Sequence, residues 1–244
     1  MPGVLKCLCV ADSRAYSFDS YAPPPESRFT VDFIIVRGAT VDQLLHHTLS
    51  KLRSYGEGDI IIIKLAAGIN DLLEFERAPH AKRKVLKRST VTGETLLSSF
   101  RSFKQRVCDC RRGVFLSVAT IATASFSKFQ ASKRLDRPIL GEDLLSLYQN
   151  DLDTTLDFVN AQVKILNSEQ HFGIPSHTLS WHTSTRKSTK RRKRSGEYTV
   201  KVRNHFSLLY DGLHAVSGLK KRWHAELYKS LETDRQALCS HLGL

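Results

Sequence analysis

Four short segments of this 244-residue chain gather residue types suited to nucleophilic catalysis. They are Ala11-Asp12-Ser13-Arg14, Arg37-Gly38-Ala39-Thr40, Ala67-Gly68-Ile69-Asn70-Asp71 and Tyr210-Asp211-Gly212-Leu213-His214. A serine hydroxyl is a weak nucleophile at its ordinary pKa and needs a base within hydrogen-bond reach. Histidine is the commonest such base, and the chain holds ten. Taken singly, each segment also has a plain structural reading. A serine in a strand-to-helix turn caps the helix, and a glycine there supplies a left-handed turn. Gly-x-Asn-Asp and Asp-Gly are ordinary loop chemistry. The signal lies in the four together and in their order.

The elements that must position them are legible from the apolar pattern. Short apolar runs at Val4–Val10, Val31–Val36, Asp59–Leu65 and Val114–Thr120 read as buried strands, and a fifth strand is expected near Phe172–Trp181. Thr40-Val-Asp-Gln43 is a capping box, followed by Val41, Leu44, Leu45, Leu49 and Leu52 at helical spacing. Two further amphipathic helices carry Leu96, Leu97, Phe100, Phe103 and Val107, then Leu144 through Leu166. Between them, residues 121–140 read as a long polar connection containing Phe126 and Phe129, which should overhang the pocket. A last helix is expected after His214, with Val216, Leu219, Trp223, Leu227 and Leu231 as its apolar stripe. Strands alternating with helices imply an α/β fold: a three-layer, flavodoxin-like sandwich around a five-stranded, mainly parallel sheet. No repeat and no second core is visible, so residues 1–244 are expected to form one domain. Ligands in such sheets bind beyond the carboxyl ends of the strands. All four segments fall there or just before the last helix.

In this order the segments resemble the SGNH (GDSL-type) hydrolase family, over most of the chain from Val4 to the final helix. Ser13 matches the block I nucleophile, Gly38 block II, Asn70 within Gly68-Ile69-Asn70-Asp71 block III, and His214 within Asp211-Gly212-Leu213-His214 block V. Block I departs from Gly-Asp-Ser: Ala11 replaces the glycine, and Arg14 replaces the usual aliphatic residue. The resemblance extends to the divergent kind found in animal families and retroelement-encoded proteins. It implies a serine esterase or acyl hydrolase with Ser13, Asp211 and His214 as its catalytic set. It also implies an oxyanion hole from the Ser13 and Gly38 N–H groups and the Asn70 side chain, with Asp12, Gly68 and Asp71 supporting the motifs. Asp12 is read as shaping its turn through backbone N–H groups. Among the other histidines, His46, His47, His171, His177, His182, His205 and His224, none has an aspartate at the block V distance. The expected substrate is a small ester or acylated molecule, and the resemblance implies no metal and no organic cofactor.

The charge points elsewhere. Lys and Arg number 37 against 24 Asp and Glu, a net +13. Segment 186–194 holds seven basic residues and segment 77–88 six, with no acid in either, so the rest of the chain balances to zero. Basic loop insertions are therefore expected at about 77–92 and 183–203, with Lys82, Arg83, Lys84, Lys190, Arg191, Arg192, Lys193 and Arg194 as anion contacts. A second function follows: an SGNH scaffold, catalytically weak or inactive, that binds nucleic acid or another anionic partner through these loops. Five cysteines, including the Cys7/Cys9 and Cys108/Cys110 pairs, read as small hydrophobes in a reducing compartment rather than a disulfide framework or zinc site. With no membrane span and no signal-peptide pattern, an intracellular, cytoplasmic protein is expected, and 186–194 has the composition of a nuclear-import sequence.

Overall fold

The computed structural model describes residues 4–77, 84–133, 140–169, 172–181, 185–192 and 198–243. Its centre is a parallel sheet of β1 (Leu5–Ala11), β2 (Val31–Ile35), β3 (Ile60–Ala66) and β6 (Val114–Val118), in the order β2-β1-β3-β6. Between them run α1 (Val41–Leu52), α2 (Ile69–Leu72) and α3 (Gly93–Cys110), with α4 (Phe126–Ser132), α5 (Glu142–Ser168) and α6 (Ser217–Leu242) after β6. Among the described residues two antiparallel strand pairs stand apart from this sheet: β4 (Leu73–Arg77) with β5 (Lys84–Arg88), and β7 (Thr185–Arg192) with β8 (Tyr198–His205).

Side-chain alternation along the strands sorts the core into two layers. Leu8, Val10, Ile61, Ile63 and Leu65 face α1, α3 and α5, where they meet Leu44, Phe100 and Val159. Cys7, Cys9, Ala11, Ile62 and Phe115 face the other way, onto Phe18, Trp181, Trp223 and Leu227. The fold class expected from sequence is thus observed, as an α/β sandwich with helices on both faces of a parallel sheet. The capping box is formed in full, with Gln43 N–H donating to Thr40 Oγ1 and Thr40 N–H to Gln43 Oε1. Lys64, fully buried on the α6 side of β3, donates at 2.6 Å to both Asp234 Oδ2 and the His177 carbonyl.

The sheet has four strands, not five. The segment expected as the fifth makes one parallel bridge, Thr120 to Ser180. Its backbone is committed elsewhere: Ser176 N–H bonds Asn167 O, His177 N–H bonds Asp234, and Pro175 has no N–H to give. The exposed edge of β6 is covered instead by α5. The Asn167 amide accepts from Val118 N–H (2.9 Å) and donates to Val118 O (2.8 Å). Two turns earlier Asn160 does the same for Ile121, at 2.7 and 3.0 Å. These side chains stand in for a neighbouring strand.

The expected basic loops are hairpins. Lys84 lies on β5, and Lys190, Arg191 and Arg192 lie on β7, while Lys82, Arg83, Lys193 and Arg194 lie outside the described residues. The expected polar connection at 121–140 contains α4, and both its phenylalanines are buried. Of the cysteines, Cys7 and Cys9 are buried as expected, with burial pushing both thiols up to about 12. Cys110 is exposed on the last turn of α3, unlike a core residue. Among the described residues no helix is long and apolar enough to cross a membrane.

Candidate active site

Where β1 ends, the chain turns sharply through Asp12 into a single 3-10 turn, Ser13–Ala15. Asp12 N–H bonds Ala66 O of β3 (3.3 Å) and Val36 N–H bonds Ala11 O (3.1 Å), so the turn is held to both neighbouring strands. Asp12 Oδ1 accepts from Arg14 N–H at 2.9 Å, the role its position in the turn suggested. It does more: the Arg14 guanidinium bonds both Asp12 carboxylate oxygens and donates to Ala122 O at 2.7 Å. Both side chains are buried. Arg14 therefore ties the serine turn to the segment after β6. Sequence reasoning registered it only as a departure from an aliphatic position, although an arginine two residues after an aspartate was the available signal.

Facing Ser13 is a loop just before α6. Gly212 sits there at φ +83°, and a Cβ at this position would run into the backbone of Ser125 and Phe129. Ser125 N–H bonds Gly212 O (2.7 Å), fixing the loop against the start of α4. The aspartate of Asp211-Gly212-Leu213-His214 folds back on its own loop: Asp211 Oδ1 accepts from Leu213 N–H (3.0 Å) and His214 N–H (2.8 Å). Asp211 Oδ2 then meets His214 Nδ1 at 2.9 Å, and His214 Nε2 lies 3.4 Å from Ser13 Oγ, 201 residues away in sequence. Burial alone would raise the Asp211 carboxyl, but the His214 ring and the two N–H groups outweigh it and hold it well below the usual carboxylate range. An ionised Asp211 on Nδ1 favours the tautomer that leaves Nε2 as acceptor toward the serine hydroxyl.

Blocks II and III are joined to one another. Gly38 lies at φ +69°, with open space where a Cβ would stand. Its demand for glycine is conformational. Asn70 Nδ2 donates to Ala39 O at 3.1 Å, using one of its two N–H bonds and placing the amide beside Gly38. Asp71 accepts the first N–H of α1, from Val41, at 3.2 and 3.3 Å. Its carboxyl is raised to about 6 by burial, against the pull of that N–H. Gly68 lies at φ +113°, where a side chain would press on Ile121 and Phe100. Gly68 and Asp71 thus set the loop, while Ser13, His214 and Asp211 form a continuous chain of contacts.

The other histidines are accounted for differently. His224 is boxed by Phe18, Tyr21 and Tyr228, and His177 Nδ1 pairs with Ser230 (2.9 Å) while Asp234 takes its backbone N–H and not its ring. His46 and His47 lie on α1, His205 ends β8, and His171 and His182 lie outside the described residues. Among the described residues no group of three or more His, Cys, Asp or Glu is arranged to hold a metal ion.

No protein-family model matches the chain, and no curated protein matches it in sequence. Solved structures do match in three dimensions. A member of the lipolytic G-D-S-L family from Veillonella parvula is 12% identical over 94% of this chain and 97% of its own, with a TM-score of 0.52. A GDSL-like lipase from Bacteroides thetaiotaomicron is 10% identical over 94% and 88%, with a TM-score of 0.54. A carbohydrate esterase of family 3 from Talaromyces cellulolyticus is 11% identical over 94% and 97%, with a TM-score of 0.52. The fold is that of the GDSL-type, or SGNH, hydrolases. On this SGNH frame the four segments marked in the sequence occupy the carboxyl ends of β1, β2 and β3 and the loop entering α6.

Proposed function

We propose that the chain is a serine esterase that hydrolyses carboxylic esters through an acyl-enzyme on Ser13. The observation that carries this reading is the relay from Asp211 through His214 to Ser13, with separations of 2.9 and 3.4 Å. The second distance exceeds the roughly 2.6–3.2 Å of a working hydrogen bond, and such contacts commonly tighten when substrate binds. In the first half-reaction Ser13 Oγ attacks the ester carbonyl as His214 Nε2 takes its proton. The carbonyl oxygen becomes an oxyanion facing the Ser13 and Gly38 N–H groups and the remaining N–H of Asn70. Collapse expels the alcohol, protonated by His214, and leaves the acyl group on Ser13. Water, deprotonated by the same ring, then releases the acid and restores the serine. Asp211 stays ionised throughout and steadies the imidazolium. The altered block I, with Ala11 and Arg14 around Asp12-Ser13, is read as the mark of the divergent animal and retroelement-associated kind.

Purified protein is expected to hydrolyse a short-chain aryl acetate and to be labelled by a fluorophosphonate. Ser13→Ala should lose labelling and roughly a thousandfold or more of the rate. Equal rates in the two proteins would overturn the esterase reading.

A second reading gains support from the β7–β8 register. It sets Lys187 opposite Arg203, two basic residues at paired positions of the ladder. Basic residues gathered on one strand pair release counterions when they meet a polyanion. In this reading the hairpin binds nucleic acid or another anionic partner.

A further inference from the structure

Two cations stand beside the Ser13 site, and among the described residues no carboxylate pairs with them. Tyr16 closes the turn that opens at Ser13, its N–H bonded to Ser13 O at 3.2 Å, and its side chain is half-exposed. Arg37, the residue before Gly38, lays its guanidinium over that ring, 4.0 Å from the centroid. Lys220, in the first turns of α6, places Nζ 5.8 Å from the same centroid and donates to Tyr16 O at 3.3 Å. Neither forms an ion pair with any described residue. The nearby Asp211 is already engaged with the His214 ring and the Leu213 and His214 N–H groups.

The three residues come from three elements that also carry the reacting groups: the Ser13 turn, the loop of Gly38, and the helix that follows His214. Partial burial pulls Lys220 down from its ordinary pKa and the Arg37 charge adds to this, with Asp211 acting in the opposite direction. The fold thus holds two like charges together on one ring. A third source of positive potential adds to them, because the 26-residue α6 begins here without an acidic residue in its first turn and without a side-chain cap. Like charges held close repel one another, and an anion placed between them turns that repulsion into attraction. A guanidinium offers several N–H donors, and those of Arg37 could meet a carboxylate or phosphate in bidentate geometry.

We propose that Arg37, Lys220 and Tyr16 form an anion clasp, and that the substrate is an ester bearing a second, negatively charged carboxylate or phosphate group. The clasp rests on the esterase reading of Ser13. It does not depend on the basic hairpins, since Arg37 and Lys220 lie outside segments 77–88 and 186–194.

Two matched pairs of esters test it. On the acyl side, 4-nitrophenyl hydrogen succinate is compared with 4-nitrophenyl methyl succinate. On the alcohol side, 4-acetoxybenzoate is compared with its methyl ester. For at least one pair, the anionic-to-neutral ratio of kcat/KM should fall about tenfold from wild type to Arg37→Gln/Lys220→Gln. The pair that responds tells which end of the ester carries the charge. Ratios unchanged in both pairs would overturn the clasp. Should the double variant not fold, the single variants carry the same comparison. Should no ester be hydrolysed and Ser13 stay unlabelled, the esterase reading fails and the clasp is read by calorimetric titration with monomethyl and dimethyl succinate. Tighter binding of the monoanion, lost in the double variant, upholds the clasp; equal binding of the two sinks it.

Discussion

Arg14 shows how one side chain changes the meaning of a motif. It follows Ser13 where the GDSL pattern carries an aliphatic residue, yet it is as buried as an aliphatic residue would be. Its charge is met on two sides, by the Asp12 carboxylate and by Ala122 O at 2.7 Å. Removing one partner of a buried pair leaves the other charge stranded, which costs roughly 3–5 kcal/mol. Arg14→Leu should therefore destabilise the protein by about that amount in chemical denaturation, although it moves the sequence toward the family pattern. An unchanged denaturation midpoint would show that the pair does not hold the turn. The serine, glycine, asparagine and Asp-x-x-His positions were legible because each motif is local. Asp12 is only two residues from Arg14, but Ala122 is 108 away, so the tie to the segment after β6 is exposed by the buried geometry alone.

At the scale of elements, the missing fifth strand and the two asparagines of α5 are one fact. An edge strand with unpaired N–H and C=O groups must be covered or remain sticky. Asn160 and Asn167, seven residues apart on one helix face, supply amides that copy a strand's alternating donor and acceptor. Asn167→Leu keeps the volume and removes both bonds to Val118, leaving its N–H and O unsatisfied, along with the Nδ2 bond to Thr178 Oγ1. A loss of about 1–3 kcal/mol is expected. Amide exchange at Val118 should accelerate with it, and protection equal to wild type would mean that the amide is not what covers β6. The apolar run Val114–Thr120 announced β6, but nothing in a sequence pattern says whether a strand, a helix or two side chains will satisfy its edge. For the same reason α4 was invisible: seven residues with two inward phenylalanines are too short for a helical period to separate from a loop.

At the scale of the whole molecule, the net +13 divides between segments 77–88 and 186–194, whose described strands lie outside the central sheet. The root of the β7–β8 hairpin is held near the site, where Lys128 Nζ donates to Phe206 O at 2.9 Å. If the hairpin engages nucleic acid, binding of a single-stranded or duplex oligonucleotide should weaken steeply with salt. Replacing Lys187, Lys190, Arg191 and Arg192 by glutamine should then flatten that salt slope by up to about four, one for each phosphate no longer neutralised. No binding at low salt, or a slope that survives the substitutions, would leave the hairpin without this role. Esterase activity on neutral esters is a separate property, so the two readings are measured independently.

By itself the sequence determined the layer architecture and the placing of the four motif segments. Apolar periodicity and strand–helix alternation specify which faces must be buried, and a parallel sheet brings the ends of its strands together. The tertiary structure alone decided how the sheet's edge is satisfied, what Arg14 does beneath Ser13, and that Tyr16, Arg37 and Lys220 share one ring beside it. Those are relations between groups up to about 200 positions apart in the chain. Hydrogen bonds and charges act through space over a few ångströms, whereas a pattern read along the chain reports only on neighbours within a turn or a strand.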